Sequence, residues 1–265
     1  MPDANQRYHD HVASIYDDIY RSPYWKFYHD LSWSHMKPHL PRDLSVEAHD
    51  AGCGTGLFGL RLLKAGFRVL FSDTSPKMLN AARRKVEAAG YADRAEFARI
   101  DVARMESLRD GRFGFFCAQG DPVSLCDDPA GAIRETARIL APGGTAVLSV
   151  DNRAAGYEHF LEKGDARGLL RFHKDGVLTW LAEKHSERFP FHTFEPEQIE
   201  EMSRRAGFEV VSIVGKCVLP LRKYADLLDD RDMAKQIIKV EKKLSARPTY
   251  LGRASHLQVT LRKPV

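Results

Sequence analysis

Between Val46 and Asp151 short apolar runs alternate with amphipathic stretches, and this rhythm restricts the fold more than any other feature of the chain. SVEAHD, FRVLFSD, AEFARID, FGFFCAQGD and TAVLSVDN read as strands. LFGLRLLKAG, SPKMLNAARRKVEAAG and PAGAIRETARILAPGG read as the helices among them. In the second helix Ser75 supplies the cap, Pro76 takes the first helical position and Gly90 marks the end. The third is expected to run until Pro142 and its two glycines stop it. Such alternation gives a parallel sheet covered on both faces.

Beyond Asp151 the rhythm breaks, and residues 152–195 show no clean strand. EPEQIEEMSRRAG is then a helix opening with Pro196, FEVVSIVGKCV a strand, and 222–250 a charged helical insertion. ASHLQVTLRK closes the chain as an alternating strand, and the last two strands fit an antiparallel pair. Seven strands are thus expected, with the last antiparallel. Before the first strand, Val12, Ile15, Tyr16, Ile19 and Tyr20 recur at helical spacing until Pro38 and Pro41. The expected organisation is an N-terminal helical lid (1–45), a core (46–151), a cap insertion (152–195) and a C-terminal part of the core (196–265). The lid is too short to bury a core of its own. It is expected to cover the site together with 152–195, and removing residues 1–40 is expected to leave the sheet folded.

Composition excludes a few classes. An apolar content of 43% is ample for a core, and no apolar run is long enough for a bilayer. MPDANQRYHDHVASIYDD has no basic start followed by an apolar stretch, so it does not read as a secretory signal. Cys53, Cys117, Cys126 and Cys217 form no C-x-x-C pair and read as free thiols of a reducing cytoplasm. The net charge of +4 neither requires nor excludes a polyanionic partner. The histidines at 29, 35, 39, 173, 185 and 192 lack helix-bound metal spacing, and no metal is expected.

The site begins with DAGCGTG. A dinucleotide fingerprint, G-x-G-x-x-G counted from Gly52, would need glycine at 57, which is Leu57. The pattern is Asp50-x-Gly52-x-Gly54-x-Gly56 instead, and an acid at the strand end would repel a pyrophosphate. It suits a ligand with a cationic group. The second strand ends in Asp73, where a carboxylate accepts from ribose hydroxyls. The third ends in Asp101, placed to accept from an amino group, and the fourth in CAQGD. Three acids and a glycine loop then line one crevice at the carboxyl ends of the strands.

On DAGCGTG (50–56), SDTSPKML (72–79), RIDV (99–102), FFCAQGD (115–121) and LAPGGTAVLSV (140–150), the chain resembles the class I S-adenosylmethionine-dependent methyltransferases, within the group similar to ubiquinone-biosynthesis and other small-molecule methyltransferases. The resemblance implies a Rossmann-like α/β fold and S-adenosylmethionine as cofactor. It implies that Gly52, Cys53, Gly54, Thr55 and Gly56 pass under the cofactor, with Asp50 near its methionine end. Asp73 would take the ribose, with Thr74 beside it in the cofactor site, and Asp101 and Val102 the adenine, with Met78 a helix-core residue that also touches it. Gln119 and Gly120 would form the floor, and Tyr16, in Tyr16-Asp17, would lie close by. His49 departs from the family, which has an aliphatic residue there.

Methyl transfer is an in-line displacement with a leaving group already activated, so alignment supplies much of the rate, and a base is needed only for a protonated nucleophile. Tyr16, Asp121 and His192 are the substrate-side candidates. GDPVS at 120–124 lacks the aromatic of the D-P-P-aromatic motif of nucleic-acid amino methylation. A small-molecule acceptor is the first reading. RNA, such as a modified tRNA base, is the second, on the twelve Lys/Arg against five Asp/Glu from Lys216 onward. A non-catalytic cofactor-binding regulator is the third. A monomer or homodimer is expected, with no membrane partner.

Overall fold

A computed structural model describes residues 3–265. The chain opens with helices α1 (Ala4–Val12), α2 (Tyr16–Ile19) and α3 (Pro23–Met36), and α3 gives way to a 3-10 turn at Lys37–His39 where Pro38 intervenes. The alternating part follows as β1 (Glu47–Ala51), α4 (Leu57–Ala65), β2 (Arg68–Asp73), α5 (Pro76–Ala88), β3 (Ala95–Arg99), β4 (Phe113–Ala118), α6 (Pro122–Leu125), α7 (Pro129–Ile139) and β5 (Leu140–Asp151). Next come α8 (Arg153–Lys163), α9 (Ala166–Asp175), β6 (Val177–Trp180), β7 (Phe189–His192), α10 (Pro196–Arg205) and β8 (Glu209–Lys216). A 3-10 segment (Leu221–Leu228), α11 (Arg231–Ser245), α12 (Pro248–Leu251) and β9 (His256–Arg262) complete the chain.

The seven-stranded sheet has the order β3-β2-β1-β4-β5-β9-β8. β1 to β5 are parallel, and β9 runs antiparallel to both β5 and β8, between which it lies. Central strands buried on both faces read as continuous apolar runs, as Phe115–Ala118 and Ala146–Leu148 do. One face is closed by Ile133, Ile139, Ile199 and Phe208, the other by Phe58, Leu62, Leu63, Ala82 and Val86. The strand order reverses between β1 and β4, which opens the crevice at the carboxyl ends of these strands.

Three expectations need correction, and one departure finds its reason. The helix read as running to Pro142 ends at Ile139, and the chain enters β5 at once. Phe113 pairs with Leu140 but Phe115 with Thr145, so Pro142 and the glycines are absorbed in an irregular stretch of the strand. Residues 152–195 contain a hairpin, β6 against β7, joined to the sequence signal only by its stacked Trp180 and Phe189. Four-residue strands are too short to show a period. His49 is fully buried in β1, where its Nε2 lies 2.7 Å from Ser72 Oγ and its ring stacks on Phe113. Burial drives its pKa down to about 3, so a neutral imidazole serves where the family has an aliphatic side chain.

Lastly, α3 is part of the core and is no detachable cover. Met36 is packed with Phe58, Leu62 and Leu63 against the sheet, and Tyr24, Phe27, Tyr28 and Leu31 are buried against Leu221 and Leu228. Removing residues 1–40 would expose both surfaces to water, contrary to the sequence-based expectation. Among the described residues no helix is long and apolar enough to cross a membrane.

Candidate functional site

Two cavities meet at the carboxyl ends of the strands. The first, about 370 Å³, lies over the glycine loop and is a size suited to a small ligand. Its walls include Tyr16, Gly52, Cys53, Gly54, Thr55, Asp73, Thr74, Asp101, Val102, Gln119 and Gly120. The turn from β1 into α4 is made by three glycines in left-handed conformation, with φ of +62° at Gly52, +52° at Gly54 and +85° at Gly56. A side chain at Gly52 would also bring its Cβ within 2.5 Å of the Pro122 ring, so the loop and the start of α6 are in direct contact.

Asp73 organises this loop. Its Oδ2 accepts the Gly54 N–H and its Oδ1 the Ser75 N–H, each at 2.9 Å, which locks the glycine turn to the start of α5. Ser75 caps that helix by accepting the Met78 N–H. Burial raises the Asp73 carboxyl above its ordinary pKa, against the lowering effect of His9 and these N–H groups. Asp101 Oδ1 accepts from Ala103 N–H at 2.9 Å. Gln119 donates from Nε2 to the Val147 carbonyl at 3.2 Å, while its Oε1 is buried with no partner among the described residues.

Three of the sequence-derived residues do not reach this cavity. Asp50 sits behind the loop, where Oδ2 accepts the Gly59 N–H of α4 at 2.7 Å, and burial pushes its pKa up to about 7. It ties strand to helix and lines neither cavity. Gly56 caps α4 against Ala82 and Phe71. Met78 is fully buried beneath α1, packed with Val12 and Ala13. The leading acid and the last glycine of the motif thus shape the turn from outside.

Sequence reasoning missed Lys85, Tyr20, His29 and Asn5, which also line the cavity. Lys85 Nζ and Thr55 Oγ1 both donate to Asp17 Oδ1 at 2.7 Å, and this latch holds α2 over the loop. Partial burial opposes ionisation of Asp17, but these two partners outweigh it and hold its pKa below the ordinary value. Burial, then Arg61 and Lys216, brings His29 down to about 4. The aromatic run before Pro38 is the only sequence signal for Tyr20 and His29; nothing in α5 marks Lys85.

The second cavity, about 900 Å³, shares His9, Tyr16, Tyr20, His29, Gly120 and Leu125 with the first. Aromatic walls come from α3 (Tyr24, Trp25, Tyr28) and from the hairpin (Trp180, Phe189, Phe191). Its polar side holds Asp121, Asp151, Arg222, Arg253 and His256. Asp121 adopts a left-handed φ of +66°, uncommon outside glycine, and accepts from Ser149 Oγ. His192 lines neither cavity: it ends β7, half-buried, and burial lowers its pKa.

The donor set tests which ligand the first cavity suits. Its polar side chains are mostly acceptors: Asp73, Asp101 and the unpartnered Gln119 Oε1. The one lysine is already paired with Asp17. Such a wall favours hydroxyls, amino groups and a cation over phosphates, so the residues fit S-adenosylmethionine and not a dinucleotide.

Comparison with known proteins agrees. Residues 48–144 match a family model described as a methyltransferase domain. The ubiquinone biosynthesis O-methyltransferase of Pseudomonas aeruginosa is 28% identical over 185 residues, 69% of this chain and 73% of that protein. The tRNA 5-carboxymethoxyuridine methyltransferase of Escherichia coli is 25% identical over 224 residues, 81% of this chain and 79% of its own length. The fold is that of an S-adenosylmethionine-dependent methyltransferase from Mesorhizobium loti, with a TM-score of 0.58 at 18% identity over 88% of this chain and 98% of that one. These similarities support a class I S-adenosylmethionine-dependent methyltransferase, with residues 48–144 as its methyltransferase domain.

Proposed function

We propose that this methyltransferase acts on a small-molecule acceptor that carries an anionic group and occupies the larger cavity. The observation that carries this reading is Arg222. Its guanidinium lies over the rings of Tyr24 and Trp25, at 5.3 and 5.6 Å from their centroids, and pairs with no carboxylate among the described residues. An arginine held on aromatic faces at a cavity wall is suited to a planar anion such as a carboxylate. A volume of about 900 Å³ is ample for one small molecule beside the cofactor.

The cofactor, when bound, supplies an electrophilic methyl group on a sulfonium. In this reading the backbone at Gly52, Cys53 and Gly54 passes under it. Asp73 and Thr74 meet the ribose, Asp101 and Val102 the adenine, and Gln119 offers its free oxygen to an N–H. Tyr16 and Thr55, held by the Asp17 latch, close the near side. The aromatic walls keep water from the reacting atoms and restrict the acceptor to an in-line approach.

RNA remains the second reading. Arg222, Lys223 and Arg253 stand together on the cavity wall, and the relative from Escherichia coli, named for a tRNA nucleoside, aligns over more of this chain than the ubiquinone enzyme does. Methyl-tritiated S-adenosylmethionine offered with the small-molecule extract and the bulk tRNA of bacterial cells decides between them. Label is expected in an acidic small molecule, with transfer reduced at least about tenfold by Arg222→Ala, the scale of one lost charge-assisted contact. Label confined to tRNA, with a rate that falls steeply with salt, would replace the first reading by the second.

A further inference from the structure

The polar wall of the larger cavity contains an ionisable cluster that cofactor binding does not use. Lys216, at the end of β8, is fully buried and donates from Nζ to Ser149 Oγ at 2.6 Å. Ser149 Oγ donates in turn to Asp121 Oδ1. The buried ammonium therefore has its counter-charge in Asp121, relayed through one hydroxyl.

Asp151, the last residue of β5, is the second carboxylate. His256 Nε2 lies 3.5 Å from Asp121 Oδ2 and 3.6 Å from Asp151 Oδ1, so the two carboxylates meet at one imidazole nitrogen. Among the described residues no lysine or arginine nitrogen pairs with Asp151, and its side chain, 22% exposed, opens on the cavity. Two acids thus share a site with one buried cation, which is hydrogen-bonded through Ser149 to the first and acts on the second only through space. The carboxylate left over gains proton affinity from its neighbour's charge.

We propose that Asp151 is the general base of methyl transfer, with His256 its positioning residue and the Lys216–Ser149–Asp121 chain its fixed charge. The assignment rests on the larger cavity being the acceptor site. As a lone pair on the acceptor oxygen or nitrogen forms the new bond to the methyl carbon, the carbon–sulfur bond breaks and its electron pair stays on the departing thioether. The acceptor proton passes to Asp151, which becomes a carboxylic acid and returns the proton to water after the product leaves.

The electrostatics agree with the geometry. Burial, then the charge of Asp121, pushes the Asp151 carboxyl well above the ordinary aspartate range, which makes it a stronger base than an exposed aspartate. Burial brings His256 down to about 4, so at neutral pH its ring positions the acids without adding charge. The other titratable or charged groups facing the cluster are Lys216 from β8, Tyr28 from α3, its ring 5.1 Å from that of His256, Tyr20 at the end of α2, and Arg222 from the 3-10 segment. Asp121, Asp151 and His256 also have ligand atoms within 4.8 Å of one another, a spacing a divalent cation could use. The buried Lys216 ammonium argues against one, because it already balances the first carboxylate and would repel a second cation.

The test uses the full chain, Asp151→Asn and His256→Gln, with labelled methyl transfer into whichever cell fraction accepts it. Asp151→Asn should lose at least about a hundredfold in rate at pH 7, while its affinity for S-adenosylmethionine by calorimetry stays within about twofold. Its deficit should shrink by about tenfold per pH unit as alkali ionises the acceptor without help. His256→Gln should show a smaller loss with the same pH slope. In protein labelled with carboxyl-¹³C aspartate, the resonance absent from Asp151→Asn should titrate well above those of the exposed aspartates. A rate for Asp151→Asn close to that of the full chain, a deficit that does not change with pH, or an Asp151 resonance titrating with the exposed acids would overturn the assignment. So would activity that requires an added divalent cation and disappears with a chelator. If the unaltered chain labels neither fraction, the acceptor reading itself fails and this inference with it.

Discussion

The cofactor half and the acceptor half of the site are built in different ways. The first is built around Gly52, Asp73, Asp101 and Gly120, at the ends of four neighbouring parallel strands. The second gathers α3, the ends of β5 and β9, the hairpin and the 3-10 segment at Leu221–Leu228. Backbone geometry fixes one: glycines in left-handed conformation and a carboxylate that accepts from two N–H groups. Side-chain packing between distant segments fixes the other. A site of the first kind tolerates change around it, whereas a site of the second kind depends on the whole fold.

The largest effect that could break this contrast comes from shortening the chain. Beginning it at Pro41 removes Tyr24, Phe27, Tyr28, Leu31 and Met36, all buried. Each is worth about 1.5–3 kcal/mol, so the sum is comparable with the roughly 5–15 kcal/mol that holds a domain together. Cooperative thermal unfolding should be lost. Beginning the chain at Ser14 removes only α1 and should leave the melt cooperative while weakening cofactor binding, since Val12 and Ala13 cover Met78. A cooperative melt for the Pro41 chain, close to that of the full chain, would show that the acceptor half is an appendage after all.

Acid gives the next largest effect, and it falls on both halves. His29, His35 and His256 in the acceptor half have pKa values brought to about 4, and His49 under the cofactor half to about 3. A lowered histidine pKa means stability that is complete above the unfolded value of about 6.5 and is lost as pH falls towards the folded one. The fold should therefore weaken steadily between pH 6.5 and about 4. His49→Leu should remove about 2–3 kcal/mol of the stability difference between about pH 7 and pH 4.5, at a pH-independent cost for the unpaired Ser72 hydroxyl. Denaturant melts at the two pH values measure it. An unchanged difference would mean that His49 titrates normally.

The smallest effects compare the loop with its latch. Asp73→Ala removes the acceptor of the Gly54 and Ser75 N–H groups and should weaken cofactor binding by roughly 1.5–3 kcal/mol, about ten- to a hundredfold. Asp17→Ala breaks a half-exposed pair with Lys85 and should cost less than about 1 kcal/mol. Calorimetry that ranks them in the opposite order would transfer control of the cofactor from the strand ends to the N-terminal helices.

How much of this was legible varies along the chain with the range of the interactions. The strand–helix rhythm, the Ser75 cap and the glycine turn are local, and their residues declare themselves within a few positions. Asp73, Asp101 and Gln119 could be read because parallel strands end on one edge, so the end of each apolar run gives a position in space. Met78 could be assigned to a helix core, but its cover by α1 was not visible. His192 looked eligible because an imidazole titrates near neutrality, yet at the end of β7 it lines neither cavity.

The sequence by itself determined the strand–helix alternation, the glycine turn and the class of ligand, because periodicity and turn chemistry act between near neighbours. Only the tertiary structure decided that Asp50 is tied to α4 outside the cavity, that α3 is core, and that Lys216, Ser149, Asp121, Asp151 and His256 meet. These residues come from three strands and one turn, adjacent only because β9 inserts between β5 and β8. No local pattern records that pairing. It is set by burial of apolar faces over the whole chain, and the charges arrive where that packing leaves them.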